Sequence, residues 1–188
     1  MTFTEPTTYT EPTTCPEPTS PPGQSEVLLV RAGEGIALWV PEEPPVDLVD
    51  GAGPQMSTYT FVATGDNTRG SLAVVDTVVP AHNGPPPHQH ADADESFYVL
   101  EGRFDVWAGG KHFTIGPGDF VFVPRGTEHI WKNAGDTTAR MIRIYTPGGM
   151  ERFFIDIGRP AQLGEPAPQL TVADVRRAEK VAAEHYGG

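Results

Sequence analysis

The chain has 188 residues, of which 38% are hydrophobic, and its formal net charge at pH 7 is -12. This length and apolar content suffice for one domain with its own core. The negative charge disfavours nucleic acid and anionic membranes as partners, because both are bound by basic surfaces, so a small molecule is the expected partner. The single cysteine, Cys15, excludes an internal disulfide framework. No apolar run approaches the length of a membrane span and no signal-peptide pattern opens the chain, so we expect a cytoplasmic location.

The first part of the chain predicts a tail followed by short strands. Residues 1–25 are rich in threonine, proline and glutamate, and they predict a disordered or loosely docked tail. Two short strands are expected next, in EVLLVRAG and GIALWVP, before an acidic, proline-rich connector. Residues 33–39 and this connector could form a lid, given their glycine content. The alternating, β-branched runs MSTYTFVATG and SLAVVDTVVP predict two further strands.

Residues 84–102, with the sequence GPPPHQHADADESFYVLEG, contain a metal-ligand spacing. Side chains alternate between faces in an extended segment, so His88 and His90 point the same way. The ADAD stretch allows a tight loop, after which the second extended run can bring the Glu95 carboxylate back towards the two rings. Two imidazole nitrogens and one carboxylate oxygen suit a divalent first-row transition metal.

The rest of the chain predicts more strands and one helix. Residues 103–115 form a hairpin that turns at Gly109-Gly110, and strands follow at 118–123, 127–132 and 139–146. About eight to ten short antiparallel strands indicate an all-β, double-sheet jelly roll. A helix is expected over 171–186, capped by Thr171 with Asp174 at the third helical position, and packed against the barrel or a second subunit.

Two motifs at these positions resemble the cupin superfamily. The second cupin pattern, G-x5-P-x-G-x2-H-x3-N, is met in full from Gly118 through His129 to Asn133. The first, G-x5-H-x-H-x3,4-E-x6-G, departs only at its opening glycine, where this chain has His82 and a glycine two residues later. The resemblance covers about residues 55–150. It implies an all-β double-stranded β-helix (jelly-roll) cupin barrel over 26–160, and a C-terminal extension with a short amphipathic helix over 161–188.

The resemblance also implies the site. One divalent transition metal ion, of Fe, Mn, Ni, Co, Cu or Zn, would be held by four ligands: His88, His90, Glu95 and His129. A cupin that kept its fold and lost its metal is the alternative, but such proteins usually have a ligand replaced, and all four are present here. Five side chains have the parity to face inward as an apolar substrate pocket, although plain core packing would explain the same residues: Tyr59, Phe61, Phe97, Val99 and Trp131.

Within the superfamily, the segments PPPHQH, ESFYVLEG and PGGMERFF look like the single-domain relatives of quercetin 2,3-dioxygenase. This implies O2-dependent oxidative cleavage of a flavonol-like or other enol or aromatic small molecule, possessing a flavonoid or polyketide-like skeleton. Glu95 would be a metal ligand and a candidate catalytic base, and a ligand-only role is equally open. Two alternatives are a metal-dependent non-redox isomerase, cyclase or lyase of secondary metabolism, and a non-enzymatic small-molecule-binding cupin. A homodimer is expected.

Overall fold

The computed structural model describes residues 27–42, 54–162 and 164–186. The predicted tail over 1–25 and residues 43–53 of the connector lie outside the described residues. The described part of the chain forms ten strands and two helices, which are, in chain order, β1 (Ile36–Val40), β2 (Ser57–Ala63), β3 (Ala73–Val79), β4 (Asp94–Glu101), β5 (Phe104–Ala108), β6 (Lys111–Ile115), β7 (Phe120–Val123), β8 (His129–Asn133), β9 (Ala139–Thr146), α1 (Glu151–Ile157), β10 (Arg159–Pro160) and α2 (Val172–Tyr186).

The strands form two antiparallel sheets. The larger has seven strands in the order β10-β1-β2-β3-β9-β4-β7, and the smaller has three in the order β6-β5-β8. Strands β3 and β4 are consecutive in the chain, but β9 lies between them in the sheet. Such crossovers are typical of a jelly roll. The predicted all-β jelly-roll fold is therefore confirmed.

Alternation along the strands produces two cores inside the barrel. Strands β2 and β3 bury every second residue, as the period of a pleated strand requires. The apolar core consists of Val79, Phe97, Val99, Phe104, Val106, Ile115, Val123, Trp131, Ala139 and Met141. The helix-side core consists of Leu38, Val40, Tyr59, Phe61, Ala73, Val75, Tyr145, Phe154 and Ile157.

The N-terminal prediction is wrong in two respects. Residues 27–33 form no strand, and Val27 and Leu29 are exposed. Residues 36–39 belong to β1, which pairs with β2 from Ile36↔Phe61 to Val40↔Ser57 and therefore cannot serve as a lid. The backbone of β1 forms hydrogen bonds with β2, and a moving lid would have to break these hydrogen bonds.

The C-terminal helix α2 is confirmed, with its predicted cap. The Thr171 N–H donates to the Asp174 carboxylate at 3.0 Å, and the Asp174 N–H donates to the Thr171 hydroxyl at 3.3 Å. Ala178 and Val181 pack against the helix-side core, so the helix docks on the barrel. Among the described residues, no helix is long and apolar enough to cross a membrane.

The short helix α1 is absent from the prediction. Its seven residues fall below the length at which an isolated helix is stable in water, so tertiary contacts must hold it. The buried Glu151 carboxylate accepts the backbone N–H groups of Gly65 at 2.6 Å and Gly149 at 2.8 Å. Phe154 and Ile157 fill the helix-side core.

Candidate metal centre and cavity

Four side chains from separate parts of the chain converge at one end of the barrel. We call them the His/Glu cluster: His88, His90, Glu95 and His129. One nitrogen or oxygen atom from each lies within 4.8 Å of all the others. Glu95, His90 and His129 are buried and His88 is half-buried. The structure thus brings together all four residues that the sequence singled out.

Backbone contacts hold the histidine-bearing segments side by side. His88 and His129 form an antiparallel bridge, in which each N–H donates to the other's carbonyl at 2.9 and 2.8 Å. The segment before His88 approaches β8 so closely that a Cβ on Gly84 would lie 2.1 Å from the Trp131 carbonyl oxygen. Glycine is therefore required at position 84, two residues after the place where the family pattern has its opening glycine.

The turn before β8 is tied to the loop that carries His90. The Gly126 N–H donates to the His90 carbonyl at 2.7 Å, and Gly126 has a φ of 75°, which favours glycine. The Arg125 guanidinium forms a bidentate pair with Asp94 at 3.1 and 2.8 Å, which holds the pKa of that carboxyl down at about 2. These contacts join the two cupin motifs.

Hydrogen bonds also set which ring nitrogen faces the cluster. Nδ1 of His88 lies 2.9 Å from the Pro86 carbonyl, and Nδ1 of His129 lies 2.9 Å from the Thr127 carbonyl. A carbonyl can only accept, so both Nδ1 atoms carry the proton and leave Nε2 free for the cluster. Burial lowers the pKa of His88 to about 4, so its ring is neutral at pH 7. Neutral imidazole is the form that binds metals.

Arg143 fixes the carboxylate of the cluster. Its Nε donates to Glu95 Oε1 at 2.8 Å, while Glu95 Oε2 lies 3.0 Å from His90 Nε2 and 2.9 Å from His129 Nε2. Burial alone would raise the pKa of Glu95, but the charge of Arg143, 2.8 Å away, holds it well below its usual range. Glu95 is therefore ionised over the whole physiological range.

The Arg143 guanidinium is itself buried among aromatic rings and hydroxyls. It donates to the hydroxyls of Tyr59 and Tyr145, and its carbon lies 4.9 Å from the centre of the Tyr59 ring and 5.0 Å from that of Trp131. These contacts compensate for the loss of water around a buried cation. The Tyr59 hydroxyl in turn donates to Glu42, the second buried carboxylate of the site.

Sequence reasoning missed Arg143 and Glu42. Strand β9 buries alternate residues, and Arg143 occupies one of these inward positions between Met141 and Tyr145. A charged residue at an inward position of an otherwise apolar strand is a signal that could have identified Arg143. Glu42 has no such signal, because it follows β1 at the start of the acidic connector.

A cavity of about 550 Å³ opens beside the cluster. His88 and His90 form part of its wall, and Arg143, Glu42 and Tyr59 supply other polar atoms. The remaining wall is mostly apolar and comes largely from the two helices and the proline segment: Pro41, Pro85, Pro86, Met150, Phe153, Phe154, Ile157, Val175, Ala178 and Ala182. The helices α1 and α2 thus close the side of the site that the barrel leaves open.

Of the five side chains expected to line a substrate pocket, Tyr59 does so. The expectation is corrected for the other four, which are not among the residues that line the cavity. Phe61 packs in the helix-side core, and Phe97, Val99 and Trp131 pack in the apolar core. Alternation along a strand predicts that these side chains face the barrel interior. It does not predict at which depth of the barrel the cavity lies.

The two remaining histidines of the barrel lie away from the cluster. His82 is exposed and pairs with Asp136 at 3.1 Å. His112 stacks on Trp107 at 4.6 Å on the outer surface, and its Nε2 lies 3.1 Å from Asp105. Neither histidine contributes to the cavity wall.

The cluster is compatible with a divalent metal ion. Three imidazoles and one carboxylate are a donor set that first-row transition metals accept, and the donor atoms already lie close together around one point. Glu95 Oε1 is bound by Arg143, and the Nδ1 atoms of His88 and His129 are bound by backbone carbonyls. Such outer partners are usual for residues that hold a metal.

Comparison with known proteins agrees with the fold. The family model for the cupin domain matches residues 74–145, which include the whole cluster. The matched segment is thus a cupin domain, as the two motifs predicted. A crystal structure described as a predicted oxalate decarboxylase from Thermotoga maritima has a TM-score of 0.54 and 19% identity, and the match covers 64% of this chain and 99% of that one. At this identity the likeness concerns the fold alone.

Three curated relatives illustrate the range of proteins that this chain is similar to. Quercetin 2,3-dioxygenase of Bacillus subtilis is 33% identical over 120 residues, which is 62% of this chain and 35% of that protein. Germin-like protein 5-1 of rice, Oryza sativa, is 37% identical over 108 residues, or 50% of this chain and 48% of the relative. Polyketide synthase CurC of Streptomyces cyaneus is 33% identical over 60 residues, or 32% and 39%. The chain thus spans only about a third to a half of the length of these relatives.

Proposed function

We propose that this protein is a metal-dependent dioxygenase that oxidatively cleaves a flavonol-like, or other enol or aromatic, small molecule. The observation that carries the proposal is that the His/Glu cluster reaches the wall of a largely apolar cavity through His88 and His90. The 33% identity to quercetin 2,3-dioxygenase over 120 residues supports this chemistry.

In this proposal His88, His90, Glu95 and His129 hold one divalent metal. When bound, such a metal supplies positive charge that favours an ionised substrate oxygen, and redox chemistry with O2. The protein's own residues orient and shield the reaction. Hydrogen bonds to Pro86 and Thr127 fix two imidazole rings, and the apolar wall excludes water from the reacting atoms.

We assign Glu95 a ligand role and not the role of catalytic base. Both of its oxygens have close partners, Arg143 on one and two imidazoles on the other. Its pKa is held well below the usual range, because the Arg143 charge outweighs the effect of burial. A carboxylate with so low a pKa is a poor proton acceptor.

The cavity supports a flat, mainly apolar substrate. Its volume of about 550 Å³ falls within the range of small-molecule sites, roughly 300–1,000 Å³. Phe153 and Phe154 of α1 present aromatic surface, and the small side chains of Ala178 and Ala182 on α2 leave room opposite the barrel. A flavonoid or polyketide-like molecule combines such a flat skeleton with an acidic hydroxyl for the metal end.

The test is oxygen uptake by protein loaded separately with Fe, Mn, Ni, Co, Cu or Zn, using quercetin and related enols as substrates. We expect substrate-dependent O2 consumption with at least one metal, and none after chelation. Product formed at full rate without O2 would instead support a metal-dependent isomerase, cyclase or lyase. Activity that survives removal of the metal would exclude both metal-dependent enzymes, whereas binding without turnover would support a non-enzymatic binding protein.

Two further expectations stay predictions, a cytoplasmic location and a homodimer. The dimer is tested by light scattering on the purified full-length chain at several concentrations. A mass equal to one chain at every concentration would exclude it.

A further inference from the structure

The cavity contains a second buried carboxylate, Glu42, outside the His/Glu cluster. Glu42 is 7% exposed and forms part of the cavity wall. Its Oε2 accepts a hydrogen bond from the Ser57 hydroxyl, and its Oε1 accepts one from the Tyr59 hydroxyl. Each carboxylate oxygen has two lone pairs, so both oxygens can still accept a proton.

The charges around Glu42 do not balance. Two buried carboxylates, Glu42 and Glu95, share one buried cation, Arg143. Arg143 lies 2.8 Å from Glu95 but 3.9 Å from Glu42, so Glu95 receives most of its compensation. The other titratable groups of the surroundings are the hydroxyls of Tyr59 and Tyr145, the imidazoles of His88 and His90, and Glu179 of α2, which also lines the cavity.

This imbalance separates the two carboxylates chemically. Burial raises the pKa of Glu42, although Arg143, Ser57 and Tyr59 act against it, and the charge of Glu95 raises it further. The same surroundings hold the pKa of Glu95 well below its usual range. Two neighbouring carboxyls with pKa values pushed apart, here on either side of Arg143, are a recurring arrangement for a fixed anion beside a proton-exchanging group.

We propose that Glu42 takes the proton from the acidic hydroxyl of the substrate and later returns it to the product. The substrate O–H bond breaks with its electron pair left on the substrate oxygen, and an O–H bond forms on a Glu42 oxygen. The reverse transfer restores the carboxylate, so no net proton is gained or lost. This inference rests on the proposed function for the nature of the substrate, but not for the ability of Glu42 to exchange a proton.

The test compares Glu42→Gln with wild type and with Glu101→Gln, a control at an exposed glutamate on β4. Glutamine keeps the size of the side chain and an oxygen that accepts from Ser57 or Tyr59. Infrared titration of the Zn²⁺-loaded proteins should show a protonated carboxyl band, above the usual pH range of glutamate, in wild type and Glu101→Gln and not in Glu42→Gln.

The second measurement uses quercetin, whose absorption reports ionisation of its hydroxyls. For Glu42→Gln we expect unchanged metal content, bound quercetin that ionises at a pH at least about one unit higher, and a kcat lower by roughly a hundredfold. The Glu101→Gln control should match wild type in all three. Glu42→Asp should recover part of kcat, since it restores a carboxylate.

The outcomes separate this inference from the proposed function. A carboxyl band that persists in Glu42→Gln overturns the inference, as does unchanged quercetin ionisation and turnover in that variant. If wild type neither ionises nor consumes quercetin, the proposed function fails, and the infrared result alone decides whether Glu42 exchanges a proton. If Glu42→Gln does not fold, a shift of the band in Glu42→Asp supports the inference and an unmoved band overturns it.

Discussion

The two ends of the barrel interior are built from the same strands but have opposite chemistry. Strand β4 contributes Phe97 and Val99 to the apolar core. Glu95, two residues before Phe97 on the same strand, belongs to the site. Strand β9 changes in the same way from Met141 to Arg143. Each strand therefore passes from hydrocarbon packing to paired charges within about 7 Å of its length.

This difference shows how the fold holds a charged site inside a small barrel. At the apolar end, burial of side chains is favourable by itself. At the site end every buried charge has a partner, and the cation Arg143 is surrounded by aromatic rings. The apolar end supplies stability that offsets the cost of desolvating charges at the other.

The largest effect is expected when a member of the His/Glu cluster is removed. His129→Ala deletes one of three imidazoles in a buried site, so we expect metal affinity to fall by more than about a hundredfold and activity to be lost. Elemental analysis and O2 uptake measure the two effects. His112→Ala, at an exposed histidine outside the cluster, is the control and should keep both. Metal content equal to wild type in His129→Ala would contradict the assignment of this ligand.

The next largest effect is expected at Arg143. Arg143→Met leaves the Glu95 carboxylate buried without its cation, which should cost about 3–5 kcal/mol in the free energy of unfolding. The control is Arg140→Met on the same strand, whose ion pair with Asp76 is partly exposed and should cost at most about 1 kcal/mol. Urea unfolding measures both. Equal losses would mean that burial does not increase the contribution of an ion pair to stability on this strand.

A smaller effect is expected for a substitution of similar size at the apolar end. Met141→Leu replaces one hydrocarbon-like side chain by another in the apolar core, so it should cost less than about 1.5 kcal/mol and leave metal content unchanged. Met141→Ala, which leaves a cavity, should cost about 2–5 kcal/mol and shows whether the core is closely packed there. Urea unfolding measures the loss of stability in each variant, and elemental analysis measures metal content. Metal loss in Met141→Leu would contradict the expectation that a substitution in the apolar core leaves the site intact.

The last effect concerns pH. Burial lowers the pKa of His88 from 6.5 to about 4, so between these values the unfolded chain binds a proton that the folded protein does not. The stability of the metal-free protein should therefore fall as the pH falls from 6.5 towards 4. The raised pKa of Glu42, caused by burial, gives the opposite slope above pH 4.5. We therefore compare the free energy of unfolding of wild type and His88→Gln in urea at each pH. A difference between the two proteins that does not change with pH would contradict the lowered pKa of His88.

Much of the fold was predictable because its strands have a local signature. Alternating runs identified β2 and β3, and the Gly109-Gly110 turn identified the β5–β6 hairpin. The strand predicted over 139–146 is β9. The strand predicted in EVLLVRAG does not form over the described residues 27–33, because apolar composition alone does not supply a pairing partner. Helix α1 was not predicted, because it is held by contacts with Gly65 and the helix-side core, which are remote in sequence and leave no local pattern.

The sequence by itself determined which donor atoms gather at the site. His88 and His90 share a face because strand side chains alternate, and the two motifs fix the places of Glu95 and His129. Only the tertiary structure decided what surrounds them. Arg143, Glu42 and the helices α1 and α2 come from distant parts of the chain and meet at the cavity. The physical reason is that periodicity encodes which face of a strand is buried, whereas the depth of a side chain in the barrel and the partners of a buried charge depend on non-local packing.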